Sequence, residues 1–218
     1  MQKMAKKTKL SEQIIVDLYM TYRLEGMGSP DNVYQFCKAA NIDEGKFYSF
    51  FSSMKMVSEG VYEEMHKSCM DLLSKDESFQ EYDSKTKLLA YYYTIFEIFT
   101  ANRSYIMMDL DGMNVKKLSK LKGHFARFIN ILAIEPFDIK RNEIQKLQSK
   151  TIQEAFYGQL LSTLKFWMED NSKGFEKTDL YIEKSVQASF EILKTLNMKS
   201  VLDFGKFLFK EKFNVSEK

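Results

Sequence analysis

Three observations on the sequence predict an all-helical fold. Apolar residues recur at three- and four-residue spacings along most of the 218 residues, and 44% of the chain is apolar, enough for a substantial core. Only 2 prolines occur, at positions 30 and 136, and the long interval between them favours long helices over many short strands. Ser11 is the cap of a first helix running to Glu25, with Ile14, Ile15, Leu18, Tyr19 and Tyr22 as its apolar stripe. Gly26, Gly28, Ser29 and Pro30 end it, and Asp31 and Asn32 open a second helix through Ala40 that buries Val33, Phe36, Cys37 and Ala40. Asn41, Ile42 and Asp43 form a short turn. Asp43 then caps a third helix, Glu44 to Phe50, whose Gly45 leaves room for a neighbouring backbone.

A fourth helix starts at Ser53 and runs to about Leu73, with Val57, Val61, Met65, Cys69 and Leu72 in one row and Gly60 as a slight weakness. The polar stretch Ser74 to Ser84 reads as a boundary. Helices follow over Lys85 to Thr100, Ser104 to Asp111 and Val115 to Ile134, the last stopped by Pro136. From Ile139 to Glu169 the pattern is that of one long helix, and Asp170 to Lys177 is a loop. Thr178 caps a helix to Leu196 carrying Leu180, Ile182, Val186, Phe190 and Leu193, and Ser200 to Phe209 forms a short final helix.

Net charge is +2, from which no partner follows. Its distribution is more telling: Lys3, Lys6, Lys7 and Lys9 form a basic arm, whereas residues 10–60 hold four bases against seven acids. Cys37 and Cys69 lie in helical patterns and read as buried, reduced thiols. The polar N-terminus and the lack of an apolar run of about 18 residues give the expectation of a cytoplasmic protein with no membrane partner.

A helix, a glycine turn, a second helix, a three-residue turn and a short third helix have the spacing of a helix-turn-helix, whose last helix enters the major groove. The residues Asn41-Ile42-Asp43-Glu44-Gly45-Lys46-Phe47-Tyr48-Ser49-Phe50-Phe51 resemble the recognition-helix signature of the TetR/AcrR-family transcriptional regulators. That signature reads glycine, an aliphatic, serine, any residue, glycine, threonine, an apolar residue, tyrosine, any residue, an aromatic or histidine, and phenylalanine. The likeness covers about the first 70 residues. It implies a helix-turn-helix domain over 1–52 and a larger helical ligand-binding and dimerisation domain over 53–218, with helix 53–73 connecting them.

Phe47 and Phe51, four apart, belong to the three-helix core, while Lys46 and Ser49 fall on the side that meets base edges. Tyr48 suits a phosphate contact, and Glu44 shares the same short helix. The resemblance makes Asn32 a phosphate ligand. Lys46 stands where the family has threonine, Phe50 where it often has histidine, and Met54 where a lysine opens the fourth helix, with Lys55 as the compensating charge. The expected interface is therefore Asn32, Glu44, Lys46, Tyr48, Ser49 and Lys55.

The second part is rich in aromatics, most of which such spacing assigns to core. Tyr92, Phe96, Phe128, Phe156 and Trp167 are the candidates to line an apolar pocket for a small apolar or aromatic ligand, with Met107 or Met108 adapting to it. Trp167, Asp170, Ser172 and Phe175 also resemble C-terminal domains of some bacterial members and of lipid-binding relatives in ubiquinone biosynthesis. His66 and His124, the 2 histidines, have no partner at a metal-ligand spacing, so no metal or cofactor is expected. With no nucleophile elbow, no phosphate-cradling loop and no catalytic triad order, an enzyme is not expected either. Glu63, Glu64, Asp109 and Asp111 read as solvated charges, and Lys116, Lys117, Lys120 and Lys122 as an exposed basic face.

These readings converge on a repressor that binds a pseudo-palindromic operator as a homodimer and is released by a small apolar ligand. The dimer is expected to pair helices at about 141–169 and 178–196 with their symmetry mates. The alternative is a lipid or hydrophobic-metabolite binding protein that keeps the scaffold without binding DNA, favoured by Phe50, Met54 and the acidic balance.

Overall fold

The structure is a computed structural model that describes residues 9–132, 134 and 142–195, with only the backbone path of 142–148. Among the described residues all regular structure is helical: α1 (Glu12–Leu24), α2 (Val33–Ala40), α3 (Glu44–Phe47), α4 (Met54–Ser74), α5 (Ser84–Ala101), α6 (Arg103–Asp109), α7 (Ser119–Ile131), α8 (Asn142–Glu169) and α9 (Glu176–Thr195). Short 3-10 turns cover Glu77–Glu81, Val115–Leu118 and Lys173–Phe175. The all-α fold with a helix-turn-helix head is thus the one observed. The chain divides into two compact units, Met1–Phe79 with Tyr91–Arg127 and Gln80–Ala90 with Phe128–Lys218.

Local chemistry sets the starts of the first four helices. Ser11 Oγ accepts from the Ile14 N–H, Asn32 Oδ1 from Gln35, Asp43 Oδ1 from Lys46 and Ser53 Oγ from Met56, so each orphan amide meets a side-chain oxygen. Gly26 and Gly28 take left-handed φ of 77° and 70° just after α1, which ends that helix without Cβ strain.

Several sequence expectations shift. The buried face of α1 is Ile15, Val16, Tyr19, Met20 and Tyr22, rotated from the expected stripe because α4 and α6 both pack on it. α3 ends at Phe47, and residues 48–50 form a turn, because Phe51 must swing back into the core. On α4 the last core residue is Leu73, while Leu72 is 51% exposed. Gly60 is no simple weakness: a Cβ there would lie 3.4 Å from Phe51 Cε1, so the glycine makes the floor on which that ring rests. Phe79 is buried within the stretch read as a polar boundary. The expected Val115 helix opens as a 3-10 turn before α7 begins at Ser119. α9 begins at Glu176, two residues before Thr178, which is therefore no cap. Thr178 instead donates its N–H and hydroxyl to Asp170 Oδ2, at 3.0 and 2.7 Å. Leu180 is 50% exposed. The final helix read over Ser200 to Phe209, and the arm lysines Lys3, Lys6 and Lys7, lie outside the described residues.

Candidate nucleic-acid interface

Aromatic packing builds the head. Phe36 is fully buried and meets Tyr19, Tyr22 and Phe47 edge-on, with ring centroids 6.0 to 6.3 Å apart. Edge-to-face pairs of this kind add to the area they bury and fix ring orientation. Phe47 touches Phe51 in turn, so α3 is anchored by two rings four residues apart. The turn between α2 and α3 is made by Asn41, whose φ of 52° and ψ of 44° are left-handed. Asparagine is among the few side chains that tolerate this conformation. Its N–H and that of Ile42 both return to the Cys37 carbonyl, which stops α2 sharply and aims α3 across it.

Anchored this way, α3 turns one edge outward. Gly45, Lys46, Tyr48 and Ser49 are exposed, Glu44 is half-buried, and Tyr48 presents 53% of its surface. The neighbour of Gly45 is not a backbone, as expected from sequence; a Cβ would meet only the capping Asp43 Oδ1, at 3.2 Å. The Tyr48 hydroxyl donates to Glu44 Oε1 at 3.4 Å. Slight desolvation and the adjacent Glu44 carboxylate push the exposed Tyr48 phenol up, so it stays protonated and able to donate. Asn32 spends its side-chain oxygen on capping α2, which leaves its Nδ2 as the group able to reach a phosphate. Lys55 is exposed and lies 3.7 Å from Glu59 one turn on. Met54 and Phe50 are half-buried.

Two polar clusters, one around a buried carboxylate and one half-buried, tie the first unit together. Asp109, with a side chain 1% exposed, accepts from Tyr62 Oη at 3.1 Å and from Lys117 Nζ at 2.7 Å, and lies 3.8 Å from Arg23. Arg23 also donates to the Tyr19 hydroxyl. One carboxylate thereby joins α1, α4, α6 and the turn before α7. In the second cluster Glu63 meets Lys120 and His124, both at 3.1 Å, while His66, whose ring lies 5.2 Å from that of His124, bonds the Tyr91 hydroxyl at 2.9 Å. Burial holds the His66 imidazole down to about 4, with His124 and Arg127 adding to the effect.

Residues 87–208, more than half of the chain, match a family model described as Tetracyclin repressor-like, C-terminal domain. The chain belongs to the TetR family of regulators. No curated protein matches the sequence. Members of the TetR family are ligand-responsive transcriptional regulators rather than enzymes. Among the described residues no helix is long and apolar enough to cross a membrane.

Within this TetR-family chain the expected ligand residues fall in both units. Tyr92 and Phe96 lie in the first, fully or nearly fully buried and stacked with centroids 6.2 Å apart. Phe128, Phe156 and Trp167 lie in the second, all buried, with Phe156 against Phe190 and Trp167 against Phe175. Met107 and Met108 are at the surface of α6, 38% and 37% exposed, not in the interior. Asp109 and Glu64 are buried, against the expectation of solvated acids, and Lys117 and Lys120 are held by Asp109 and Glu63 rather than forming a free basic face. Arg23 and Tyr62 were not legible as partners of Asp109, because their separations in sequence match no helical spacing. Cys37 and Cys69 are buried and unpaired, and burial pushes both thiols up.

Proposed function

We propose that this TetR-family member is a repressor that binds a pseudo-palindromic operator as a homodimer and is released by a small apolar ligand. The observation that carries the reading is the outer edge of α3, where a left-handed turn at Asn41 and two buried rings present Glu44, Lys46, Tyr48 and Ser49 on a short, exposed helix. Lys46 and Ser49 offer donors to base edges, Tyr48 and Asn32 offer donors to phosphates, and exposed Lys55 and Lys9 add charge. One such helix reads too few base pairs, so two copies related by a two-fold axis are needed.

Exposed apolar surface on α8 and α9 supports the dimer. Leu180 and Ile192 are 50% and 54% exposed, and two grooves lie along this pair. One, of about 470 Å³, is lined by Phe166, Leu180 and Tyr181; the other, of about 220 Å³, by Ile152, Phe156 and Leu193. Apolar surface of this kind is the usual mark of a subunit contact. For release, ligand binding among the aromatics of α5 and α7 displaces α6, and Asp109 passes that motion to α1 and α4 through Arg23 and Tyr62. A ligand achieves this only through its different affinity for the two arrangements.

A gel shift with the DNA upstream of the protein's own gene, across salt concentrations, tests the reading. The repressor gives sequence-selective binding, on the order of nanomolar, that weakens steeply with salt. Weak binding that ignores sequence supports instead a hydrophobic-metabolite binding protein, the reading favoured by half-buried Met54 in place of a phosphate-binding lysine.

A further inference from the structure

The geometry of α3 points to a specific chemistry in the operator: we propose that Glu44 reads a cytosine in the major groove of each half-site, an inference that rests on the repressor reading. Glu44 is the first residue of α3, and the first turn of a recognition helix is the part that reaches base edges. With Phe47 packed inward and fully buried, the helical repeat of 3.6 residues turns Gly45 straight outward and sets half-buried Glu44 on a flank, beside the exposed Tyr48 of the following turn. Gly45 has no side chain to hold the duplex off, and around it a Cβ would meet nothing but the helix's own cap.

Charge then restricts what Glu44 can meet. Among the described residues neither Glu44 nor Lys46 makes an ion pair; Glu44 Oε1 receives only the Tyr48 hydroxyl, and no hydrogen bond reaches Oε2. An unneutralised carboxylate on a face that approaches phosphates is repelled by every duplex alike. Only a base-edge donor offsets that repulsion. In the major groove guanine and thymine turn acceptors toward the protein, and adenine places its N7 acceptor beside its amino group. Cytosine alone offers an amino group with no neighbouring acceptor on the same base, so the acid discriminates for it. Oε2, which receives no hydrogen bond from the described residues, is the oxygen left to accept from cytosine N4.

Selection of binding sites from a random duplex pool by the full-length protein, followed by affinity measurements on single-base variants, tests this. The wild-type protein is expected to enrich a two-fold site with one C·G pair per half-site that it prefers by roughly five- to a hundredfold over the other bases. Glu44→Ala removes the preference at that pair alone and tightens binding to unrelated duplex, since a repulsive charge has gone. Glu44→Gln moves the preference toward adenine, which an amide meets with one donor and one acceptor. If Glu44→Ala keeps the wild-type base profile, or binds unrelated duplex no better, Glu44 does not read cytosine while the repressor reading stands. If the wild-type protein enriches no site, the repressor reading falls, and this inference with it.

Discussion

Asp109 and Glu44 are carboxylates of the same compact unit with opposite surroundings. Asp109 is sealed inside, and a lysine, a tyrosine hydroxyl and an arginine converge on it from three other elements. Glu44 sits on an exposed short helix, held by one tyrosine hydroxyl 3.4 Å away. A buried charge without partners would be expelled or neutralised, so the first arrangement persists only because the fold satisfies it. A half-buried charge that water still reaches carries no such requirement. Unpaired polar groups therefore accumulate where a partner from outside can supply what the chain does not, so groups that hold the head in place differ from groups left open to such a partner.

The largest effect should come from the sealed side. Asp109→Ala leaves Lys117 and Tyr62 without their acceptor and is expected to cost about 4 kcal/mol in a urea denaturation series. A loss under about 1 kcal/mol would mean that Asp109 is not the joint between α1, α4 and α6.

Second in size is a pH effect in the neighbouring cluster. Burial holds His66 down to about 4 from its ordinary 6.5, so the unfolded chain takes up a proton that the folded one refuses. Its contribution is complete above pH 6.5 and is lost as pH falls toward 4, amounting to about 3 kcal/mol over that window. Glu63, Lys120, His124 and Arg127 surround it, so the measurement is a difference between wild type and His66→Gln. The variant should show the shallower fall between pH 6.5 and 4.

Asn32 stands on the border between the two kinds of site, and the choice of substitution divides its roles. Asn32→Ala removes a helix cap and should cost about 1 kcal/mol of stability, whereas Asn32→Gly should cost only a few tenths. Both lose the amide donor, so equal loss of DNA affinity in a gel shift assigns that donor to a phosphate, and retained affinity in Asn32→Gly leaves only the cap.

At the exposed edge, folding should hardly change. Lys46→Ala is expected to move thermal stability by no more than about 0.5 kcal/mol. If Lys46 neutralises a phosphate, the logarithmic dependence of DNA affinity on salt flattens by about one. A destabilisation above 1 kcal/mol would show that Lys46 belongs to the sealed class instead.

Much of the head was readable in advance because its determinants are local. A cap bonds an amide three residues away, a left-handed turn depends on one residue's φ, and Phe47 and Phe51 share a face by helical spacing alone. The start of α9 was misread for the converse reason: Asp170 gathers Ser172 and Thr178 across a 3-10 turn, and that turn advances the helix to Glu176. The rotated face of α1 was not readable, since α4 and α6 decide which side of it is covered.

The sequence by itself determined the helical class, the order of the helices, the capping residues of the first three helices and the helix-turn-helix spacing. Each follows from interactions among residues within about four positions of one another. Only the tertiary structure decided which charges are sealed and which are left open. Asp109 and Arg23 are 86 positions apart in the chain, and no local pattern states that one will be buried against the other. The partners of a charge are chosen by packing between distant helices, and the partners decide whether that charge serves the fold or is left open at the surface.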